Sequence, residues 1–268
     1  MTAAVIAYLE RFSLDSGRRE ELKWLAAILM VVDHVNGYLL GSAHPLLYEL
    51  GRLSYPLFAL VLAYNLAQAD ERVRRRVLYR LVIFGIISQP LTMLLRYPIM
   101  SGDVMQPPVW WHGNILFTFA AGVMCTVLIG RDRPFSSLQP IAGILLVVLA
   151  GALVDFRWAG IAYFLSAYYL FLYRRPSSLI IFALANVALV FENLSLSGLF
   201  AIPILLLAAG GKGMLRRRSW MFYIFYPLHL ALIWLATVVY YLFFHGAVAR
   251  TPVWAAFAFA FASASASA

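Results

Sequence analysis

The sequence predicts an all-α fold: a polytopic membrane helical bundle of about 9–10 transmembrane helices with a cytoplasmic N-terminus. Three observations carry this. First, 63% of the 268 residues are hydrophobic and only 12% are charged, with a mean hydropathy of +0.82. Soluble domains hold about 25% charged residues. Second, apolar stretches of helical length recur at 22–40, 48–69, 77–96, 115–130, 139–155, 158–173, 178–192, 197–210 and 219–244, with a candidate tenth at 252–266. Third, the basic residues alternate with these stretches. Counted from a cytoplasmic N-terminus, 17 of the 21 Lys and Arg fall in the N-terminal segment and in every second loop. The exceptions are Arg52, Arg96, Arg157 and Arg250. This is the positive-inside pattern.

The elements follow in order. Residues 1–21 are a polar cytoplasmic segment, and 22–40, LKWLAAILMVVDHVNGYLL, reads as an uncleaved anchor. The short connection SAHPLL makes 48–69 its antiparallel neighbour, with a kink expected at Pro56. Arginines at 72 and 74–76 precede 77–96. The longest outer loop, 97–114, is rich in Pro, Gly and Trp, and its tryptophans suit the membrane interface. His112 and Asn114 open 115–130 from the outer side, with Asn114 in a capping position. Some later spans are short enough to be tilted or re-entrant. The last, 219–244, surrounds Pro227. Residues 252–268 form either a tenth helix or a disordered tail, and 1–268 is read as one domain. The net charge of +9 follows topology, so nucleic acid is not expected as a partner; membrane lipid is. Cys125 stands alone and is read as a small core residue.

Chemistry concentrates in the first two spans. Asp33 and His34 sit deep in 22–40, where an ionisable group marks a functional site by default. Lys23 precedes His34 by eleven residues, on nearly the same helical face and about 16 Å away along the axis. Asp33 points about 100° off that line. Its depth matches that of Arg52 on the next span, so an Asp33–Arg52 pair is expected, either as a lock between helices or also as a support for His34. His34 is an interhelical hydrogen-bond former or a general base. Further polar intruders are Asn36, Ser54, Tyr55, Asn65, His112, Asn114 and His229. Ser54, Tyr55 and Asn65 are read as lying at comparable depth, whereas Lys23, Glu49, Arg80 and Arg96 lie near helix ends and snorkel. No two of His34, His112 and His229 have metal-ligand spacing, so no metal is expected. Phosphate-loop, dinucleotide and serine-hydrolase signatures are absent from the sequence.

Four pieces, LKWLAAILMVVDHVN at 22–36, GRLSYPLFALVLAYNLA at 51–67, HGNILFTFAAG at 112–122 and FYIFYPLHLAL at 222–232, fall in an order that resembles the TraX family. That family comprises membrane acetylases of conjugative pilin. The Lys-x10-His spacing is also similar to the Arg/Lys-x10-His motif of the membrane acyltransferase-3 group. The resemblance implies acetyl-CoA as co-substrate, a location in the bacterial inner membrane, and a pilin N-terminal amine as acceptor. Within enzymes, the rival acceptor is an envelope glycan or lipid. Carried over by position, His34 is the catalytic histidine and Lys23 the cofactor-side cation. Lys in place of Arg at position 23 departs from the commoner form and gives up bidentate phosphate binding. Asp33 or Arg52 would then fix the imidazole. Tyr55 and Asn65 are expected to join Lys23 on the cofactor side, and Asn36 and His112 to serve the acceptor. From depth, and not by carry-over, His229 is also expected on the cofactor side and Asn114 at the acceptor, and either could stabilise the oxyanion. A proton-coupled transporter with a relay of Asp33, His34 and His229 is the alternative from another class.

Overall fold

The structure, a computed structural model, describes residues 11–96, 112–129 and 138–244. The candidate tenth helix, the 252–268 tail, Arg250 and the tryptophans of the outer loop lie outside the described residues. The chain forms α1 (Ser16–His34), which runs into a π-helical turn (Val35–Leu39), then α2 (Pro45–Gly51), α3 (Ser54–Ala67), α4 (Glu71–Arg96) and α5 (Ile115–Ile129). It continues through α6 (Leu138–Leu153), α7 (Arg157–Tyr173) and α8 (Pro176–Asn193). A 3-10 turn (Ser197–Phe200) leads into α9 (Ala201–Ala208), and α10 (Met221–Phe244) ends the described chain. Among the described residues there is no strand, and each of the nine apolar segments is helical.

This is a membrane protein. Among the described residues, four spans are long and apolar enough to cross a bilayer: Pro45–Ala67, Glu71–Arg96, Pro176–Asn193 and Met221–Tyr240. Large apolar side chains also cover the outside of the bundle, among them Ile144 and Leu149 on α6, Ile180 and Leu184 on α8, and Leu228 and Leu235 on α10. Water would penalise such a surface, whereas lipid accommodates it. Ser197–Ala208 is about 20 Å long, short of a hydrocarbon core of about 30 Å.

The centre of the bundle is α3, packed between α1 and α7. It is apolar all round, as a fully enclosed helix should be; Leu57, Ala59, Leu60, Val61 and Ala63 are all buried. Small residues let the backbones approach, as membrane helices require. Thus Ser54 donates its hydroxyl to the Ala26 carbonyl of α1 at 2.9 Å. The second apolar segment breaks at Arg52–Leu53, ahead of Pro56 rather than at it. A proline ring clashes with the carbonyl four residues earlier, so the helix yields one turn upstream and Pro56 sits in the first turn of α3, where no N–H is missed.

Two further features place the site. After His34 the helix widens into the π turn, a form that concentrates at functional positions. The Asn36 side chain holds the following turn, donating to the His44 carbonyl at 3.1 Å and accepting the His44 N–H at 3.2 Å. At the same end, Gly113 and Val154 form an isolated bridge. Gly113 donates to the Leu153 carbonyl at 2.6 Å and accepts the Asp155 N–H at 2.9 Å. Phe156 and Arg157 then adopt left-handed backbone, φ 58° and 44°, which turns the chain sharply and leaves Asp155 facing α4.

Candidate functional site

Two cavities lie end to end along α1. One, of about 180 Å³, opens toward the basic end and is lined by Lys23, Asn65, Arg80, Arg217 and aromatic residues of α10, including Phe222 and Tyr223. The other, of about 390 Å³, opens at the far end and is lined by Asp33, His34, Asn36, Tyr38, Arg52, Tyr55, Arg96, Asp155 and Glu192. They share Met30, Ile115 and Tyr226 as a common wall. Lys23 and His34 therefore line adjoining chambers.

At the far cavity, Arg52 donates to Asp33 at 2.5 Å, making the ion pair that their depths required. The guanidinium also lies 4.5 Å from the Tyr48 ring centroid, a cation–π distance. Asp33 packs directly on Gly51, where any Cβ would collide with its carboxylate. A second pair joins Arg96 to Asp155 at 2.6 Å. A looser one, at 3.8 Å, joins Arg157 to Glu192. Asp33 does not hold the catalytic candidate: His34 Nδ1 lies 2.9 Å from Nε2 of His229 on α10. His229 is buried, and its Nδ1 lies 3.0 Å from the Phe225 carbonyl oxygen.

Several expected residues are engaged elsewhere. Asn114 is fully buried; its Oδ1 accepts the Leu116 N–H as a helix cap, and its Nδ2 donates to the Gly85 carbonyl and to Gln89. With its polar atoms so occupied, it is not placed to stabilise an oxyanion. Tyr55 lines the far cavity, not the basic one, and donates to the Gly160 carbonyl at 2.6 Å. His112 contributes its carbonyl, which accepts from Gln89 at 2.9 Å. Asn65 is not at the depth of Tyr55 but ten residues further along α3, about 15 Å. There it accepts from Arg19 at 2.7 Å, in the basic cavity. Arg96 does not snorkel, and Glu49 accepts hydroxyls from Ser195 and Ser197.

At the basic end, Lys23 pairs with buried Glu20 at 2.5 Å and lies 4.5 Å from the Phe222 ring centroid. Arg80 stacks over Trp220 at 4.1 Å. The segment after α9 is docked on the start of α1: Asp15 accepts the N–H of Gly213 at 3.1 Å and of Gly17 at 2.9 Å, and Glu21 accepts the Met214 N–H at 2.7 Å. The two glycines touch backbone to backbone, which carries Arg217 to the cavity mouth.

A helical membrane protein with a basic chamber at one end, a polar chamber at the other and one wall between them is the class that fold and site define. The chain belongs to the TraX family: the family described as TraX protein matches residues 18–239. It is similar to Protein TraX of Escherichia coli, 30% identical over 248 residues that cover 87% of this chain and 93% of that one. Protein TraX of Escherichia coli strain K12 is 29% identical over 229 residues, 81% of this chain and 86% of that one. No solved structure matches.

Proposed function

We propose that this protein is a single-domain (1–268) acetyltransferase of the bacterial inner membrane. Its basic end would face the cytoplasm, and it would move an acetyl group from acetyl-CoA to an acceptor at the opposite face. The observation that carries the reading is the abutment of the two cavities, cationic on one side and histidine-bearing on the other. The basic cavity suits acetyl-CoA in chemistry: Arg80 and Arg217, with Lys23 held by Glu20 beside them, offer charge for phosphates, and Met30, Phe222 and Phe225 offer an apolar lining for an arm. The nucleotide end would rest outside, on the basic loops.

When bound, acetyl-CoA supplies an activated thioester. His34 acts as general base, taking the proton from the acceptor amine or hydroxyl as the new C–N or C–O bond forms. It then returns that proton to the sulfur as the C–S bond breaks, so the ring ends as it began. Tyr226, in the shared wall, takes the oxyanion-donor role for which Asn114 is unsuited. Arg52 and Arg96, paired with Asp33 and Asp155, hold the far cavity polar and bind the acceptor beside Glu192.

The acceptor proposed is the N-terminal amine of a conjugative pilin, on the strength of the family. Mass spectrometry of pilin from cells with and without this protein tests it: the expected result is a gain of one acetyl group. Acetyl on an envelope glycan or lipid instead would move the acceptor but keep the reaction. His34→Ala should lower transfer by roughly 10²–10⁴-fold while the protein still accumulates in the membrane. Undiminished transfer in that variant would remove His34 from the mechanism.

A further inference from the structure

Resting on the acyl-transfer reading, we propose that His229 is a positioning residue that fixes the tautomer of His34 and so makes its Nε2 the base. The Phe225 carbonyl oxygen only accepts, and it lies 3.0 Å from His229 Nδ1; that nitrogen therefore carries the proton. In a neutral imidazole the other nitrogen then holds a lone pair. His229 Nε2 lies 2.9 Å from His34 Nδ1, so His34 Nδ1 donates. One proton per neutral ring leaves His34 Nε2 as a lone pair, on a side chain that lines the far cavity.

The ring geometry agrees. The two imidazole planes are 2° apart with centroids separated by 5.1 Å. Combined with the short N–N distance, that describes rings joined edge to edge along an in-plane N–H···N bond, the strongest arrangement for it. His229 cannot turn away readily: Phe225 stacks on it at 12° and Tyr226 packs against it at 62°. The carboxylate of Asp33, adjacent in sequence, is held by Arg52 instead. The orienting partner of this base is thus a second histidine 195 residues away, itself oriented by a backbone carbonyl. This chain does for His34 what a neighbouring carboxylate does for other catalytic histidines.

The test reads the proton directly. The protein is labelled with ¹⁵N-histidine and reconstituted in nanodiscs, and His34 is assigned by the signal lost in His34→Asn. Its Nδ1 should show a protonated, N–H-coupled resonance and its Nε2 an unprotonated one. His229→Leu, which fits the space but offers no acceptor, should shift the His34 proton toward Nε2. His229→Gln should restore the Nδ1–H form, because its amide oxygen accepts from His34 while its NH₂ group reaches the Phe225 carbonyl. In acetyl transfer from acetyl-CoA, His229→Leu should lower kcat by roughly 10²-fold with KM for acetyl-CoA unchanged, and His229→Gln should recover most of it. An Nε2-protonated His34 in the unaltered protein, or the same His34 spectrum in His229→Leu, overturns the proposal. Absent acetyl transfer with the expected spectra would overturn the acyl-transfer reading alone.

Discussion

At the residue scale, Asp33 and Arg52 show how a membrane protein keeps charges inside the bundle. Each partner alone would be costly to leave unpaired, and together they are held by one short contact and by the close approach of Asp33 to Gly51. Gly51 has ordinary helical backbone, so what it supplies is space and not conformational freedom. Gly51→Ala should therefore displace the carboxylate and strain the pair. The expected outcome is a fall in thermal stability of about 1–3 kcal/mol, and a similar fall in Asp33→Asn, where Arg52 loses its counter-charge. Because both changes act on one contact, their effects should not add in the double variant. Thermal unfolding of the three proteins in detergent measures this, and full additivity would mean that the glycine serves some other contact.

At the scale of elements, what was legible in the sequence and what was not divide along a physical line. Hydropathy and loop charge mark where helices lie, and the nine segments within the described residues are helical because length and composition alone decide that in lipid. Pairing across helices leaves no periodic trace, so His34 and His229 could not be joined by spacing. One signal does stand in the sequence. Of the four residues that break the alternation of basic loops, the three within the described residues, Arg52, Arg96 and Arg157, are each paired with an acid that lines the far cavity: Asp33, Asp155 and Glu192. Asp155 is hidden at the end of an apolar run. Its place depends on the bridge between Gly113 and Val154, a long-range contact.

The docked segment after α9 is an element with its own test. Asp15 sits outside the spans, and the Gly213 and Gly17 N–H groups hold its carboxyl below the ordinary 3.8. The folded value is the lower one, so this tie is fully present above 3.8 and is lost only as pH falls through the lowered value. A Cβ on Gly213 would run into the Arg18 amide nitrogen, a collision with backbone that no side-chain rotation relieves. Gly213→Ala should undock the segment and withdraw Arg217 from the basic cavity. If Arg217 serves acetyl-CoA, KM for it rises several-fold while kcat holds, since a phosphate contact binds ground and transition states alike. A lowered kcat with constant KM would instead tie the segment to the chemistry.

At the scale of the whole molecule, the proposal is that chemistry crosses the membrane where no soluble donor exists, and the architecture makes that claim directional. The basic cavity and the far cavity must open to opposite sides, with Met30, Ile115 and Tyr226 between them. The chain offers a clean background for measuring this, because its single cysteine, Cys125, is buried. Ser219 lines the basic cavity and Ser42 the far one. In Ser219→Cys, a membrane-impermeant maleimide should label inverted vesicles and not intact spheroplasts; in Ser42→Cys the pattern should reverse. Acetyl-CoA should protect the thiol of the Ser219→Cys variant and leave that of the Ser42→Cys variant exposed, since the wall keeps the donor's bulk on the basic side. Labelling of both positions from one face would place the two cavities on a single side of the membrane. His34 would then serve a reaction that starts and ends there, and transfer across the bilayer would have to be abandoned even if acetylation itself were confirmed.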